Sequence, residues 1–256
     1  MEVVLNINDL NYLDIFENIT LSIEKGTIVI ISGPNKCGKT TLCRILDRKV
    51  IGNYNINLKG KDIKEYQLEE YDHLIQVIYP NNSNWIENTP LEEIERITCS
   101  KEKKDFIVKK LDTLKISDKL ISKLSTLEII FLQILKASLK SDEIVIIDNM
   151  DQYLNKKDLD IVYDLIEIIK SKFKLSFIIT TTSLENALKA NKLYVIKEGK
   201  IILHGEPLTV LQNDNILNKA GLNVPFMIDL SVKLRDYELI KNVELDKERL
   251  IETLWN

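Results

Sequence analysis

The sequence predicts an α/β fold built on a mixed β-sheet, and three observations support it. From residue 143 to residue 204, short apolar strands alternate with helices, which is typical of a parallel sheet with helices on its faces. A glycine-containing loop at 33–40 lies between an apolar strand at 27–31 and the first turns of a helix at 41–46. A helical stretch at about 89–140 interrupts the alternation, so we expect an inserted helical subdomain.

Alternating apolar and polar residues mark the first strands. Residues 3–7 and 19–23 alternate well enough to form strands of an antiparallel layer. Residues 54–58 alternate cleanly and precede a turn at 59–62, and 74–78 is a further strand candidate. These segments predict an antiparallel β layer beside the mixed sheet.

The middle of the chain is predicted to be helical from residue 91 to residue 139. Within it, Ser125 and Glu128 form a capping box, with Ser125 as the N-cap. The helix that follows is apolar nearly all round, so we expect it to be buried.

Beyond the helical stretch, strands and helices alternate again. The predicted elements are a strand, a helix, a strand, a helix and a closing pair of strands, at 143–147, 159–169, 175–180, 184–190, and 193–196 with 201–204. We expect one domain at 1–213, with the insertion at about 89–140, and a small helical extension at 214–256.

Composition and charge exclude several classes of protein. The chain has 256 residues, 45% of them hydrophobic, and a formal net charge of −4, which gives no electrostatic footprint for DNA or RNA. The sequence contains neither an apolar run long enough to span a membrane nor the pattern of a signal peptide. Three unpatterned cysteines predict a cytosolic chain with reduced thiols. The two histidines are too separated to form a metal site.

The loop at 33–40, Gly-Pro-Asn-Lys-Cys-Gly-Lys-Thr, fits the phosphate-binding pattern G-x-x-x-x-G-K-[ST] and predicts a P-loop NTPase. Backbone N–H groups of such a loop wrap a polyphosphate, and the helix N-terminus adds a positive dipole end. Lys39 is expected to reach the β- and γ-phosphates, and the Thr40 hydroxyl to ligate Mg²⁺. The predicted nucleotide-binding loop residues are Gly33, Pro34, Asn35, Lys36, Cys37, Gly38, Lys39, Thr40 and Thr41.

Along almost its whole length the chain resembles the ATP-binding subunit of ABC transporters. The loop beginning Gly-Pro-Asn, the helical insertion and the acidic strand end at Asp148 follow that family's order. The tail is most similar to the ATPase subunit of energy-coupling-factor (ECF) transporters, through residues 205–207, 210–211, 220–226 and Leu230. The resemblance implies ATP and Mg²⁺ as ligands and a peripheral place on the cytoplasmic face of the cell membrane. It also implies a second ATPase subunit, a transmembrane coupling subunit and a substrate-binding membrane subunit as partners, with vitamins or metal ions as cargo.

The loop departs from the family pattern at two positions, where the family has glycine and serine. If position 36 needs a left-handed backbone, the Lys36 side chain costs about 1–2 kcal/mol. Two interpretations of Lys36 stay open: its ammonium bonds a phosphate oxygen, or it points to solvent without a role. Cys37 is expected to stand in for the serine. Tyr12 is the candidate to stack on adenine, and packing at a strand end is the alternative.

The catalytic positions implied by the resemblance are altered. Asp148 matches the aspartate that organises Mg²⁺, with a helix cap as the alternative. Asn149 replaces the glutamate that polarises the attacking water, and an amide cannot accept a proton, so we expect a loss of about 10²–10⁴ in rate. Thr182 replaces the histidine that contacts the γ-phosphate. Tyr79 replaces the glutamine that senses Mg²⁺ and coupling, and Asn155 replaces an aspartate of the loop between subunits.

The family's signature, which contacts nucleotide bound to the paired subunit, is altered as well. It corresponds to Leu124, Ser125, Thr126, Leu127 and Glu128, where the family has Leu-Ser-Gly-Gly-Gln. Thr126 and Leu127 crowd a backbone that glycines would leave open, and Glu128 adds a negative charge. The segment is either a weakened signature or only a well-capped buried helix. The helical insertion is the expected docking face for a membrane partner, and exposed apolar residues near Trp85 and Ile86 would suit that role. The alternative is that Trp85 packs within the small domain.

These features predict the motor subunit of an importer that pairs with a more complete ATPase and hydrolyses ATP weakly by itself. ATP held in such a site can still favour the closed pair, because binding energy alone shifts the equilibrium. Two alternatives stay open: a non-catalytic nucleotide-binding scaffold, and a soluble ABC-type ATPase that is not linked to transport.

Overall fold

The computed structural model of the protein describes residues 2–82 and 84–255, and two β-sheets form its centre. The strands are β1 (Val3–Tyr12), β2 (Phe16–Glu24), β3 (Ile28–Ser32), β4 (Asn55–Leu58), β5 (Lys61–Asp62), β6 (Ile75–Ile78), β7 (Ile144–Asp148), β8 (Ser176–Thr181), β9 (Lys192–Lys197) and β10 (Lys200–Gly205). The helices are α1 (Lys39–Leu46), α2 (Leu68–Leu74), α3 (Pro90–Glu95), α4 (Lys101–Thr113), α5 (Thr126–Lys140), α6 (Lys156–Phe173), α7 (Pro207–Leu211), α8 (Asp214–Lys219), α9 (Phe226–Asp236) and α10 (Lys247–Trp255).

The two sheets confirm the predicted fold class. One is a four-stranded antiparallel sheet in the order β2-β1-β4-β5. The other has six strands in the order β10-β9-β3-β8-β7-β6, in which all neighbours run parallel except the antiparallel pair β9 and β10. The second sheet is therefore mixed, as expected.

The central strands are buried on both faces, and this places polar groups at one edge of the sheet. β3, β7 and β8 consist of buried residues only, mostly isoleucine and valine. Their last residues, Ser32, Asp148 and Thr181, are polar and lie at the shared carboxyl edge of parallel strands. Ligands of open α/β sheets bind outside that edge.

Two apolar clusters hold the layers together because alternate residues of β3 point to opposite faces. Ile28 and Ile30 belong to a cluster with α5, α6 and parts of the C-terminal region. Val29 and Ile31 belong to a second cluster between the two sheets, which also holds α1. The loop that joins β3 to α1 is thus fixed at both ends.

The stretch at 91–139 is helical, as predicted, and contains three helices, because Ser100 and Ser125 act as N-caps that start α4 and α5. One local prediction was wrong. The predicted helix at 184–190 is only a 3₁₀ turn, Ala187–Lys189. β9 begins at Lys192, so a single turn fills the space. Helix α2 was not predicted.

The insertion and the tail have the expected helical character. α3, α4 and α5 lie between β6 and β7 in the chain, and α8, α9 and α10 follow residue 213. The division into domains at 213 stays a prediction. None of the helices in residues 2–82 and 84–255 has the length and apolarity that a membrane crossing requires.

Candidate nucleotide-binding site

The loop at 33–40 needs both of its glycines for reasons of space. A Cβ atom at Gly33 would overlap the carbonyl oxygen of Ile196 on β9. Gly38 has a φ of 106°, and a Cβ there would approach the ring of Phe16. The backbone of the loop therefore lies directly against β2 and β9, and its path is set by contacts that only glycine allows.

Lys39 is the first residue of α1, and its buried ammonium lies inside the loop. Its Nζ atom donates to the carbonyl oxygens of Gly33 at 2.6 Å and Pro34 at 3.0 Å. The loop thus wraps around a positive charge, which is the arrangement a polyphosphate requires. Pro34 and Thr41 are half-buried and Asn35 is exposed on the rim of the loop.

Lys36 and Cys37, where the family has glycine and serine, have different surroundings. Lys36 has a φ of 67° and an exposed side chain, so position 36 does adopt the left-handed backbone that favours glycine. Cys37 is buried, and its Sγ atom lies 3.6 Å from Lys39 Nζ. The thiol therefore packs against the essential ammonium, which is more than the backbone role expected of it.

Asp148 ends β7 and receives four side-chain donors. Thr40 Oγ1 donates to Oδ2 at 2.8 Å, and Thr180 Oγ1 donates to Oδ1 at 2.7 Å. Asn149 Nδ2 reaches Oδ1 at 3.0 Å, and the Cys43 thiol lies 3.7 Å from the same oxygen. Because these donors are side chains, the carboxylate organises the site instead of capping a helix.

The oxygens of Thr40 and Asp148 fit a magnesium ion. Mg²⁺ prefers hard oxygen ligands and keeps part of its water shell beside one or two carboxylates and the phosphates. The two side chains are already in contact across the cleft, one from α1 and one from β7. Behind them, burial and the proximity of Asp148 raise the pKa of the Cys43 thiol, so the thiol stays protonated.

Asn149 faces Thr40 and Asp148. Its backbone is left-handed, with a φ of 49°, which asparagine tolerates better than most residues. Its Nδ2 group donates to Asp148 and also lies 3.3 Å from Thr40 Oγ1. Its Oδ1 atom is buried without a partner among the described residues. That oxygen can accept a hydrogen bond from a water molecule, but it cannot take the proton.

Thr182 is also hydrogen-bonded to another residue of the chain. Its backbone N–H and its Oγ1 donate to Asp151 Oδ2 at 3.2 and 3.1 Å. Asp151 lies in the turn just after Asn149, so this contact joins the loops that follow β7 and β8.

Tyr79 follows β6 and is tied to the end of α1. Its hydroxyl donates to Asp47 Oδ2 at 3.0 Å, and the Lys49 ammonium pairs with Asp47 and lies 4.7 Å from the ring centre. Burial and the charge of Asp47 raise the pKa of the Tyr79 hydroxyl, so it remains a donor. A cleft of about 670 Å³ has Tyr79, Thr40, Asp148 and Asn149 in its lining.

Tyr12 and the signature residues lie elsewhere. Tyr12 is half-buried and close to Gly52, whereas Ile15 and Phe16 are the neighbours of Gly38. Its adenine contact stays a prediction. The signature residues lie at the start of α5 in the insertion, and Ser125 and Glu128 form the predicted capping box there. The five residues are Leu124, Ser125, Thr126, Leu127 and Glu128.

The comparison with known families agrees with this arrangement. The profile of the ABC transporter family matches residues 16–152, more than half of the chain, and spans the loop, β7 and Asp148. The chain belongs to the ABC transporter family. The prediction of an ABC-type ATP-binding chain is confirmed.

Relatives of this ABC transporter chain include ECF proteins. It is 25% identical over 256 residues to energy-coupling factor transporter ATP-binding protein EcfA1 of Mycoplasma mobile, covering 91% of this chain and 88% of the relative. It is 26% identical to EcfA of Pediococcus pentosaceus, covering 90% and 85%. An ABC transporter ATP-binding protein of Methanosarcina mazei is 25% identical over 85% of this chain, which spans only 40% of that longer relative.

Solved structures show the same fold. A structure of cbiO1 from Clostridium perfringens, part of the ABC transporter complex cbiONQ, has a TM-score of 0.75 at 18% identity and covers 92% of this chain and 100% of that one. The ADP conformation of an ATP-binding cassette of an ABC transporter has a TM-score of 0.72 at 20% identity, covering 86% and 98%.

Several contacts of the ABC site were not predicted, namely those made by Thr180, Cys43, Asp47 and Asp151. Thr180 pairs with Asp148 in the β7–β8 register, so aligning the two strand ends could have found it. Cys43 lies three residues after Thr40 on the same helix and therefore on the same face. The contacts of Asp47 and Asp151 depend on how loops fold, and no sequence signal marks them.

Proposed function

We propose that this chain is an ATP-binding subunit of an ECF-type ABC importer that binds Mg-ATP and hydrolyses it weakly. It pairs with a second, more complete ATPase at the cytoplasmic face of the membrane and helps to drive uptake of a vitamin or a metal ion. The observation that carries the proposal is the contrast between the metal-binding oxygens and the residues beside them. Thr40 and Asp148 are arranged for a metal ion, while Asn149 in the same cleft is bonded to Asp148, and Thr182 in the loop after β8 is bonded to Asp151.

Each residue of the cleft then has a defined task. The loop amides and Lys39 bind the phosphates, and Thr40 and Asp148 hold Mg²⁺, which neutralises phosphate charge when bound. Asn149 Oδ1 orients water without deprotonating it. Binding without rapid hydrolysis favours the closed pair, and turnover falls to the site that contains the partner's loop.

A groove beside β6 is the place where we expect the membrane subunits to dock. Glu93 is buried and accepts the N–H groups of Ile86 and Glu87, both at 3.0 Å, and it pairs with Lys136. These bonds fix the loop so that Ile86 is 68% exposed. The Lys136 ammonium lies 5.0 Å from the centre of the half-buried Trp85 ring. We expect Ile86 to contact a transmembrane coupling subunit, with Trp85 as its support.

The first experiment measures Mg-ATP affinity and turnover in the purified chain. We expect binding that Lys39→Ala removes and that Lys109→Ala, which changes an exposed lysine on α4, leaves intact. ATP turnover within about tenfold of an ordinary transporter ATPase would contradict the weak-hydrolysis proposal, because the missing base alone is worth about 10²–10⁴. Co-purification with an integral membrane partner separates transport from a soluble ATPase function.

A non-catalytic scaffold is the second candidate. The contact between Thr182 and Asp151 favours it, because it occupies the side chain at the position expected to touch the γ-phosphate. Asn149→Glu in the complex with the partner ATPase separates the two candidates. A rise in turnover relative to Asn149→Gln, which has the same length without a base, indicates a competent site, and no difference indicates a scaffold.

A further inference from the structure

Both chain neighbours of Thr182 line a small cavity. Thr181 and Ser183 form part of its wall, and the turn after β7 and helix α6 contribute other residues. Its volume is about 10 Å³, which is room for one water molecule and no more. Asp151 from the turn and Tyr163 from α6 bring polar groups to this small space.

Asp151 uses only one of its two carboxylate oxygens within the chain. Oδ2 accepts the N–H and the hydroxyl of Thr182 at 3.2 and 3.1 Å. Oδ1 is buried and has no hydrogen-bond partner in residues 2–82 and 84–255. A buried polar atom without a partner costs free energy, and native proteins satisfy such atoms with ordered water where the chain supplies no partner. The free oxygen therefore requires a donor from the cavity.

Tyr163 is the second polar group without a partner. Its ring is buried, and its hydroxyl forms no hydrogen bond within the part of the chain that the structure describes. Burial and the proximity of Asp151 raise the pKa of this hydroxyl, so it keeps its proton. A protonated phenol can donate one hydrogen bond. Asp151 and Tyr163 thus face one cavity as acceptor and donor without bonding to each other.

The size and the chemistry of the cavity decide what fits. A water molecule can accept a hydrogen bond from the Tyr163 hydroxyl and donate one to Asp151 Oδ1, and the Asn186 side chain in the lining offers a further partner. Two to four polar partners are what a buried water needs. A metal ion needs about six oxygen ligands, more than this lining supplies, and a larger ligand exceeds the volume.

We propose that one buried water molecule bridges Tyr163 and Asp151, and that Tyr163 is thereby a positioning residue for Thr182. Hydrogen bonds then run from the Tyr163 hydroxyl through the water to Asp151 Oδ1, while Oδ2 holds Thr182. The bridge ties α6 to the loop after β8. It stands without the proposed function, and only the bearing of Thr182 on bound ATP rests on that function.

Tyr163→Phe tests the bridge, because it removes the hydroxyl and keeps the ring. Tyr66→Phe is the matched control, since the buried Tyr66 hydroxyl donates directly to the Leu58 carbonyl oxygen at 2.7 Å in the antiparallel sheet. Amide hydrogen exchange is followed by NMR at Thr182 and at Ile146 in the centre of β7. A crystal structure of the wild-type chain shows whether the cavity holds a water molecule.

We expect one ordered water within hydrogen-bond distance of Asp151 Oδ1 and the Tyr163 hydroxyl. Both variants lower global stability and should speed exchange at Ile146, which exchanges on unfolding. Only Tyr163→Phe should also speed exchange at Thr182, by about three- to tenfold, because Thr182 exchanges through local opening of its loop and the bridge is worth about one hydrogen bond.

A cavity without water, or a direct hydrogen bond between Tyr163 and Asp151, overturns the bridge. Exchange at Thr182 that is unchanged in Tyr163→Phe, or equally fast in Tyr66→Phe, overturns the positioning role, because the hydroxyl then acts only on global stability. Mg-ATP binding by the wild type and Lys39→Ala is measured in parallel. Equal binding by these two proteins refutes the proposed function and leaves the result for the bridge as it stands.

Discussion

Replacing Asn149 by aspartate tests the geometry on which the metal site depends. In the wild type, the Asn149 amide donates to Asp148 Oδ1 at 3.0 Å. Aspartate has nearly the same shape and also tolerates the left-handed backbone, but it places a second carboxylate where the donor was. Asn149→Gly is the matched control, because it loses the same hydrogen bond without adding charge or backbone strain.

The expected cost follows from the distance. Two unit charges 3 Å apart at an effective dielectric constant of 20 repel by about 5 kcal/mol, and rotation of the new carboxylate to about 6 Å leaves about 3 kcal/mol. The lost bond to a charged acceptor costs about 2 kcal/mol in both variants. Asn149→Asp should therefore be less stable than Asn149→Gly by about 3 kcal/mol at neutral pH.

The extra loss of stability in Asn149→Asp must increase as the pH rises. Repulsion raises the pKa of the carboxyl pair in the folded variant above the unfolded value of about 4. The penalty is then fully present above the folded pKa and disappears as the pH falls toward the unfolded value. Urea unfolding at about pH 8 and about pH 5 should show a difference between the two variants that falls by about half at the lower pH, because about 1.4 kcal/mol remains for each pH unit above the unfolded pKa, and millimolar Mg²⁺ should reduce it. Equal stability at both values would falsify the placement of Asn149 beside Asp148.

Three further changes have defined outcomes in denaturant unfolding. Lys36→Gly should raise the free energy of unfolding by about 0.5–1 kcal/mol, because it relieves a left-handed lysine, and Lys36→Ala should not. Gly33→Ala should lower the free energy of unfolding by about 1–3 kcal/mol, because the new methyl group overlaps the Ile196 carbonyl. An unchanged value would show that the loop does not lie against Ile196. Thr182→Val should lower the free energy of unfolding by about 1–2 kcal/mol, because Asp151 loses a hydrogen-bond donor. An unchanged free energy of unfolding would show that this contact does not form.

The parts predicted from the sequence were those fixed by local chemistry. The loop at 33–40 was found because two glycines, a lysine and a threonine must follow a strand and open a helix in a fixed order. The start of α5 was found for the same reason, because the bonds of a capping box join residues three apart. The short segment at 184–190 was assigned wrongly because seven residues do not distinguish a turn from a helix.

Contacts between distant loops could not be predicted. Asp151 and Thr182 are 31 residues apart, and their bond depends on how the turns after β7 and β8 are directed. The contact between Tyr79 and Asp47 depends likewise on the distance between β6 and the end of α1. No periodicity or motif encodes such distances, whereas the parallel register of β7 and β8 already places Thr180 beside Asp148.

The three positions at which we propose weakened catalysis share one physical feature. Asn149, Thr182 and Tyr79 each donate to a nearby carboxylate, on Asp148, Asp151 and Asp47 respectively. A partly buried carboxylate that loses its donor costs about 1–3 kcal/mol, so a single reversion toward the family residue removes a bond as it adds a catalytic group. Histidine at 182, for example, gains the family's side chain while Asp151 loses the Thr182 hydroxyl, and the two positions are energetically coupled. A single reversion at any of the three positions is therefore expected to lower the free energy of unfolding, even where it raises turnover.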